Sequence, residues 1–206
     1  MDNAGWYFIN DIFCFLSLMM EKIILASKSP RRSQLLQWAE VPFEIVVKDT
    51  AEDFPFDMPI EQVPVHIARN KALAISNEID ADKVILAADT VVVLGDNVIG
   101  KPVHREDAVS MLMALSGSIH KVITGVVLKK GEQEIAFADI TEVEFHPLSI
   151  EQIEFYVDKY KPYDKAGAYA IQEWIGVVGI KSVKGDFYNV MGLPVSRVLQ
   201  ALQQIS

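Results

Sequence analysis

Cysteine is almost absent from this chain: Cys14 stands alone among 206 residues. One thiol cannot close an internal disulfide or build a cysteine-based zinc site, and a reducing, cytoplasmic compartment is the setting this implies. The histidines are few and scattered. His66, His104, His120 and His146 include no pair at metal-ligand spacing. No Gly-x-x-x-x-Gly-Lys-Ser/Thr loop occurs, which excludes a P-loop enzyme, and no Gly-x-Ser-x-Gly is present either. Repeats and low-complexity linkers are also missing. Positive charge is in short supply: 19 Lys and Arg face 28 Asp and Glu, a formal net charge of −9. Together with the lack of a basic stripe with interleaved aromatics, that argues against nucleic-acid binding. A small polyphosphate is still allowed, because a few local cations and a divalent metal can reverse the sign within one cleft.

The first twenty residues are unusually apolar, with Trp6, Tyr7, Phe8, Phe13, Phe15 and Leu16 among them. No Lys or Arg precedes the apolar run, and Asp2 and Asp11 are wrong for a secretory signal. Asn10 and Asp11 break the run well short of a membrane span. Two readings stand for residues 1–21: a short helix packed on the body, or an extension created by an upstream start codon, with the true start at Met20. The second is favoured because Met20 directly precedes a clean first strand.

Half the chain is hydrophobic, enough for a sizeable core in one domain over residues 22–206. Lys22 to Ala26 reads as a buried strand, followed by Ser-Lys-Ser-Pro and a helix to about Ala39. Phe43 to Val47 is a second strand, and an acidic loop runs from Asp49 to Asp57. Residues 60–79 have helical spacing. Lys83 to Ala88 reads as a strand broken by Asp89-Thr90 and resumed at Val91 to Leu94. Arg105 to Leu115 is helical, and Ile119 to Leu128 with Glu134 to Phe145 form a hairpin. Ser149 caps a helix to about Tyr160. The stretch from Gly167 to Gly185 contains a strand at Gly176 to Lys181, and a last amphipathic helix spans Pro194 to Leu202. Strands and helices alternate throughout, so the fold class is α/β, a mixed sheet with flanking helices.

Three segments carry chemistry. In the first turn, Ser29 is suited to cap a helix that has Pro30 at its first position. Free amides and the helix dipole at such an end favour an anion. Lys28, Arg31 and Arg32 add positive charge, and guanidinium groups match phosphate oxygens bidentately. Alone, the turn reads equally well as a capped helix with a solvated basic face. In the second segment, Asp89 lies between two apolar runs, at a strand end or bulge facing a crevice, with Thr90 beside it. Lys101, between Gly100 and Pro102, reads alone as a turn lysine, and Lys71 as a solvated helix residue. The third segment, Asp164 to Gln172, combines small residues with Tyr169 and ends in an amide able to read a base edge. Asn189 to Pro194 reads as a helix-entry turn and nothing more. With carboxylates as the only ligands on offer, the metal implied is hard, Mg²⁺ or Mn²⁺.

Ile24-Leu25-Ala26-Ser27-Lys28-Ser29-Pro30-Arg31-Arg32, Ala88-Asp89-Thr90-Val91-Val92, Gly100-Lys101-Pro102, Leu115-Ser116-Gly117, Thr124-Gly125-Val126, Asp164 to Tyr169 and Gly192-Leu193-Pro194 stand in the order seen in the Maf family of nucleotide pyrophosphatases. The resemblance covers about residues 22 to 205. It implies two lobes around a central cleft, a fold related to the inosine-triphosphate pyrophosphatases, and often a homodimer. It implies metal-dependent hydrolysis of a nucleoside triphosphate between the α and β phosphates, giving the monophosphate and pyrophosphate. By position, Asp89 matches the family's proton acceptor, and Ser27, Arg31, Lys71 and Lys101 its substrate contacts, which leaves Arg31 as the ligand-facing arginine of the first turn and Arg32 as a surface charge. Arg31, Thr90 and Gln172 match the trio of the subgroup that prefers dTTP and UTP. Glu52 is the best match for a second acidic metal ligand beside Asp89, and Ala170 stands where Gly is common. Two further readings are a house-cleaning pyrophosphatase for modified nucleotides, and a cell-division regulator acting through partner contacts.

Overall fold

The computed structural model describes residues 21–205, so both readings of the N-terminal stretch lie outside the described residues apart from Glu21. The elements are β1 (Ile23–Leu25), α1 (Pro30–Trp38), β2 (Phe43–Ile45), α2 (Val63–Ser76), β3 (Ile85–Leu94), β4 (Asn97–Ile99) and α3 (Arg105–Leu115). They continue with β5 (Ile119–Lys130), β6 (Gln133–Phe145), α4 (Ile150–Tyr160), α5 (Trp174–Gly179), β7 (Ile180–Lys184), α6 (Phe187–Met191) and α7 (Val195–Ile205). The strands form one seven-stranded sheet in the order β2-β1-β3-β5-β6-β7, with β4 on β3. The β1 pairings are parallel and the others antiparallel, so the sheet is mixed, as expected for the α/β class.

Alternation along β3 divides the core. Ile85 and Ala87 meet Ala68, Ala72 and Ile75 of α2 on one face. Ala88 and Val92 belong to the larger cluster on the other face, with Leu35 and Leu36 of α1 and Val198 and Leu202 of α7. Gly125 of β5 sits where α2 begins. A Cβ there would lie 2.2 Å from the carbonyl carbon of Pro64, so only glycine lets the helix come down on the sheet.

Two local expectations change. Asp89-Thr90 does not interrupt a strand: β3 runs unbroken, with Asp89 opposite Gly125 and Thr90 opposite Thr124 on β5. Continuous pairing along β5 holds the polar residues in extended conformation. The apolar stretch at Gly176 to Lys181 is also not one strand. The Glu173 carbonyl takes the amides of Gly176 and Val177, which winds Trp174–Gly179 into a helical turn before β7 begins at Ile180.

Candidate active site

The exception to full pairing in β3 creates the site. β1 pairs with β3 only at Ile85 and Leu86, and β4 takes the same edge only from Val92 to Leu94. Among the described residues no strand pairs with this edge between Leu86 and Val92, so Asp89 and Thr90 lie on a bare length of strand beyond the carboxyl end of β1. Successive side chains point to opposite faces of a sheet, so Asp89 turns toward α2 and Thr90 toward α1 and α6. A cavity of about 430 Å³ opens at this gap and is lined by both residues. Ligands bind in such a crevice outside the carboxyl ends of parallel strands.

Part of the cavity lining is charged. Lys71 of α2 donates to Asp89 Oδ1 at 2.7 Å and to Glu52 Oε1 at 2.8 Å, and Lys101 reaches Glu52 Oε2 at 3.5 Å. Asp89 is buried to all but a small fraction, and Glu52 comes from the acidic loop after β2. Partial burial pushes the Glu52 carboxyl up, but hydrogen bonds and charges from Lys71 and then Lys101 outweigh this and hold it below its ordinary value. Arg31 lines the same space and pairs with Asp164 at 2.8 Å. Lys28 is paired with Asp49 on the exposed side.

The first turn departs from expectation in two ways. Ser29 occupies the N-cap position of α1, but its side chain makes no capping bond, leaving the helix end to other acceptors. Arg32 is not a surface charge. It is 8 % exposed, donating from Nε to the Gly192 carbonyl at 2.8 Å, from Nη1 to Ser27 Oγ at 3.0 Å and from Nη2 to Thr90 Oγ1 at 3.0 Å. Burial lowers its pKa, and the charge of Asp89 opposes that shift. Ser27 Oγ also accepts from the Ser29 amide at 3.2 Å. Both its lone pairs are then engaged, and its proton is what it has left to offer.

Val92, Val122, Tyr169, Val190 and Met191 give the cavity an apolar wall. The segment from Asp164 to Gln172 is pinned against it. Gly167 adopts φ 68° with a Cβ position only 3.0 Å from Val92, and its amide donates to the Gly100 carbonyl. Tyr169 shares a 2.7 Å hydrogen bond with the buried His120 ring, and the Ala170 amide donates to the Tyr156 hydroxyl at 3.2 Å. Burial pushes His120 down to about 4, so its ring is neutral near pH 7. Gln172 is exposed at the mouth.

Every residue singled out in the sequence thus lines this cavity: Ser27, Arg31, Glu52, Lys71, Asp89, Thr90, Lys101 and Gln172. Three working parts were missed or misread. Arg32 is buried rather than a surface charge, and Thr124, which enters the sequence reading only within the Thr124-Gly125-Val126 motif, is fully buried. Asn189 was passed over as turn, yet it is fully buried and donates to the Val122 carbonyl at 3.1 Å and to Thr141 Oγ1 at 3.0 Å. An arginine followed by apolar Leu35 and Leu36 on one helix face was the available hint for Arg32.

Residues 22–205 match the family model described as Maf-like protein. The chain belongs to the Maf-like family. Curated relatives align over nearly the whole Maf-like region. The dTTP/UTP pyrophosphatase of Cytophaga hutchinsonii is 49% identical over 183 residues, 89% of this chain and 84% of that protein. That of Parabacteroides distasonis is 46% identical over 188 residues, covering 91% and 97%. Among solved structures, a HAM1 protein from Coxiella burnetii aligns with a TM-score of 0.48 and 13% identity over 90% of this Maf-like chain and 100% of that one. A likeness that distant carries no argument about chemistry.

Proposed function

We propose that this protein hydrolyses dTTP and UTP between the α and β phosphates, releasing the monophosphate and pyrophosphate. The observation that carries the reading is the cavity at the unpaired edge of β3. Basic residues from separate segments line it together with apolar side chains, and Asp89 is paired with Lys71 among them. The near-full-length relatives named for dTTP and UTP support the choice of bases.

In this reading the triphosphate lies along Lys71, Lys101 and Arg31 and the open end of α1, with Ser27 donating to a phosphate oxygen. The base packs on the apolar wall, beside Thr90 and Gln172. Asp89 takes the proton from the water that attacks the α-phosphorus. Lys71 and Lys101 neutralise the charge that develops on the departing pyrophosphate.

Glu52 and Asp89 fit a hard divalent cation, Mg²⁺ or Mn²⁺. Lys71 Nζ bridges an oxygen of each, so both carboxylates already address a single cationic position. Among the described residues no group of three or more acidic, His or Cys side chains gathers to hold a metal. The substrate phosphates and water would complete the shell, as is common for Mg²⁺. When bound, the cation lowers the pKa of a coordinated water and offsets phosphate charge.

Residues 22–206 form the catalytic unit of a cytoplasmic enzyme, in a family whose members are often homodimers. A panel of nucleoside triphosphates assayed with Mg²⁺ and Mn²⁺ tests the reading. dTTP and UTP are expected to give pyrophosphate and the monophosphate. Preference for a methylated or otherwise modified base, or release of inorganic phosphate instead, would refute it.

A further inference from the structure

Thr90 Oγ1 has two hydrogen-bond partners within the protein. Arg32 Nη2 is one, and a guanidinium can only donate, so Thr90 must accept there at 3.0 Å. The second is Thr124 Oγ1, also at 3.0 Å, where distance alone does not say which hydroxyl gives the proton. The next link decides it. Thr124 Oγ1 lies 3.2 Å from the Asn189 carbonyl, and a carbonyl can only accept. The single proton of Thr124 therefore goes to Asn189, and the bond between the two threonines must run from Thr90 to Thr124. The reverse direction would leave the Thr124–Asn189 contact without a proton, at a residue that is 0% exposed. A hydroxyl has one proton and two lone pairs. Thr90 has given its proton to Thr124 and one lone pair to Arg32, and what remains on a side chain lining the cavity is one lone pair.

We propose that Arg32 and Thr124 are positioning residues for base selection: they use up the proton of Thr90, so that Thr90 can only accept, and it accepts from the ring N3–H of thymine or uracil. This rests on the dTTP/UTP reading above. On the edge of those bases that carries O2, N3 and O4, N3–H is the one donor. In cytosine N3 is an acceptor, and against it Thr90 would set lone pair to lone pair. A site whose buried polar group is left unpaired by the wrong base discriminates more strongly than an apolar pocket can.

The test is the ratio of kcat/KM for UTP to that for CTP in the wild type and in Thr124→Val. Valine keeps the shape at position 124 but cannot accept from Thr90, whose proton is then free to serve cytosine N3. The ratio is expected to fall roughly tenfold or more, the effect of about one hydrogen bond. Thr124→Ser, which keeps the hydroxyl, restores the ratio. An unchanged ratio in Thr124→Val overturns the proposal and leaves the dTTP/UTP reading standing. Should Thr124→Val fail to fold, wild-type turnover of N3-methyl-UTP decides. Loss of at least tenfold in kcat/KM relative to UTP supports the proposal, and equal turnover overturns it. A wild-type protein that cleaves neither UTP nor dTTP overturns the proposal and the reading together.

Discussion

Arg31 and Arg32 are neighbours in the chain, yet they do opposite work. Arg31 lies on the open side of the cavity, with one salt-bridge partner, Asp164, whose side chain is half exposed. Arg32 lines the cavity from a buried position, tied to a carbonyl and two hydroxyls. A partly solvated ion pair contributes little and can be exchanged for a substrate phosphate. A buried guanidinium with three bonds cannot leave without stranding its partners. In the proposed function the same side chain is thus a ligand-binding group at one position and an organiser of other groups at the next.

The largest expected effect is at the charged residues. Asp89→Asn should lower kcat for UTP by about 10²- to 10⁴-fold, the usual range for loss of a general base, with a smaller change in KM. Steady-state kinetics at saturating Mg²⁺ measures it. The second test acts on the arginine pair directly. Arg32→Ala should destabilise the fold by about 3 kcal/mol, lowering Tm by roughly 6–12 °C in a chain of this size. Arg31→Ala should leave Tm nearly unchanged and raise KM by about tenfold. Equal thermal effects of the two variants would break the contrast.

The third test concerns the segment pinned against the apolar wall. His120 is held at about 4 in the folded protein, against about 6.5 in an unfolded chain. The unfolded state therefore binds more protons between those values, and stability falls as pH drops through that window. From pH 7 to pH 4.5 the loss from this group is about 2 kcal/mol, read as a drop in Tm that His120→Phe should flatten. The smallest effect is at Asp164. Partial burial raises its pKa, but Lys165 and Arg31 outweigh that and hold it at about 2. Its folded pKa is depressed, so its contribution is complete above about pH 4 and is lost as pH falls through about 2. Because the Asp164 side chain is half exposed, Asp164→Asn should change stability by no more than about 1 kcal/mol at neutral pH, measured by urea unfolding.

Much of this was legible in the sequence, and the difference between Arg31 and Arg32 shows where legibility stops. Apolar periodicity located most helices and strands, because burial of one face is a local property of spacing. That the Asp89-Thr90 pair faces a crevice is legible in the sequence, but the cause of the crevice is not. The pair reads as a strand break, whereas β5 pairs with it without interruption and the break lies in the opposite edge, where β1 ends and β4 has not begun. That gap is a property of three segments together and leaves no local pattern. Arg32, Thr124 and Asn189 escaped for the same reason, since their roles consist of bonds to residues far away in the chain. The helical turn at Trp174–Gly179 was missed because a short apolar run with glycines has no decisive period.

In the proposed reaction, water attacks the α-phosphorus of UTP in the gap of β3. Hydrolysis in ¹⁸O-water followed by mass spectrometry of the products tests it most directly. The account predicts one labelled oxygen in UMP and none in pyrophosphate. Label in the pyrophosphate, or a uridine diphosphate product, would contradict it.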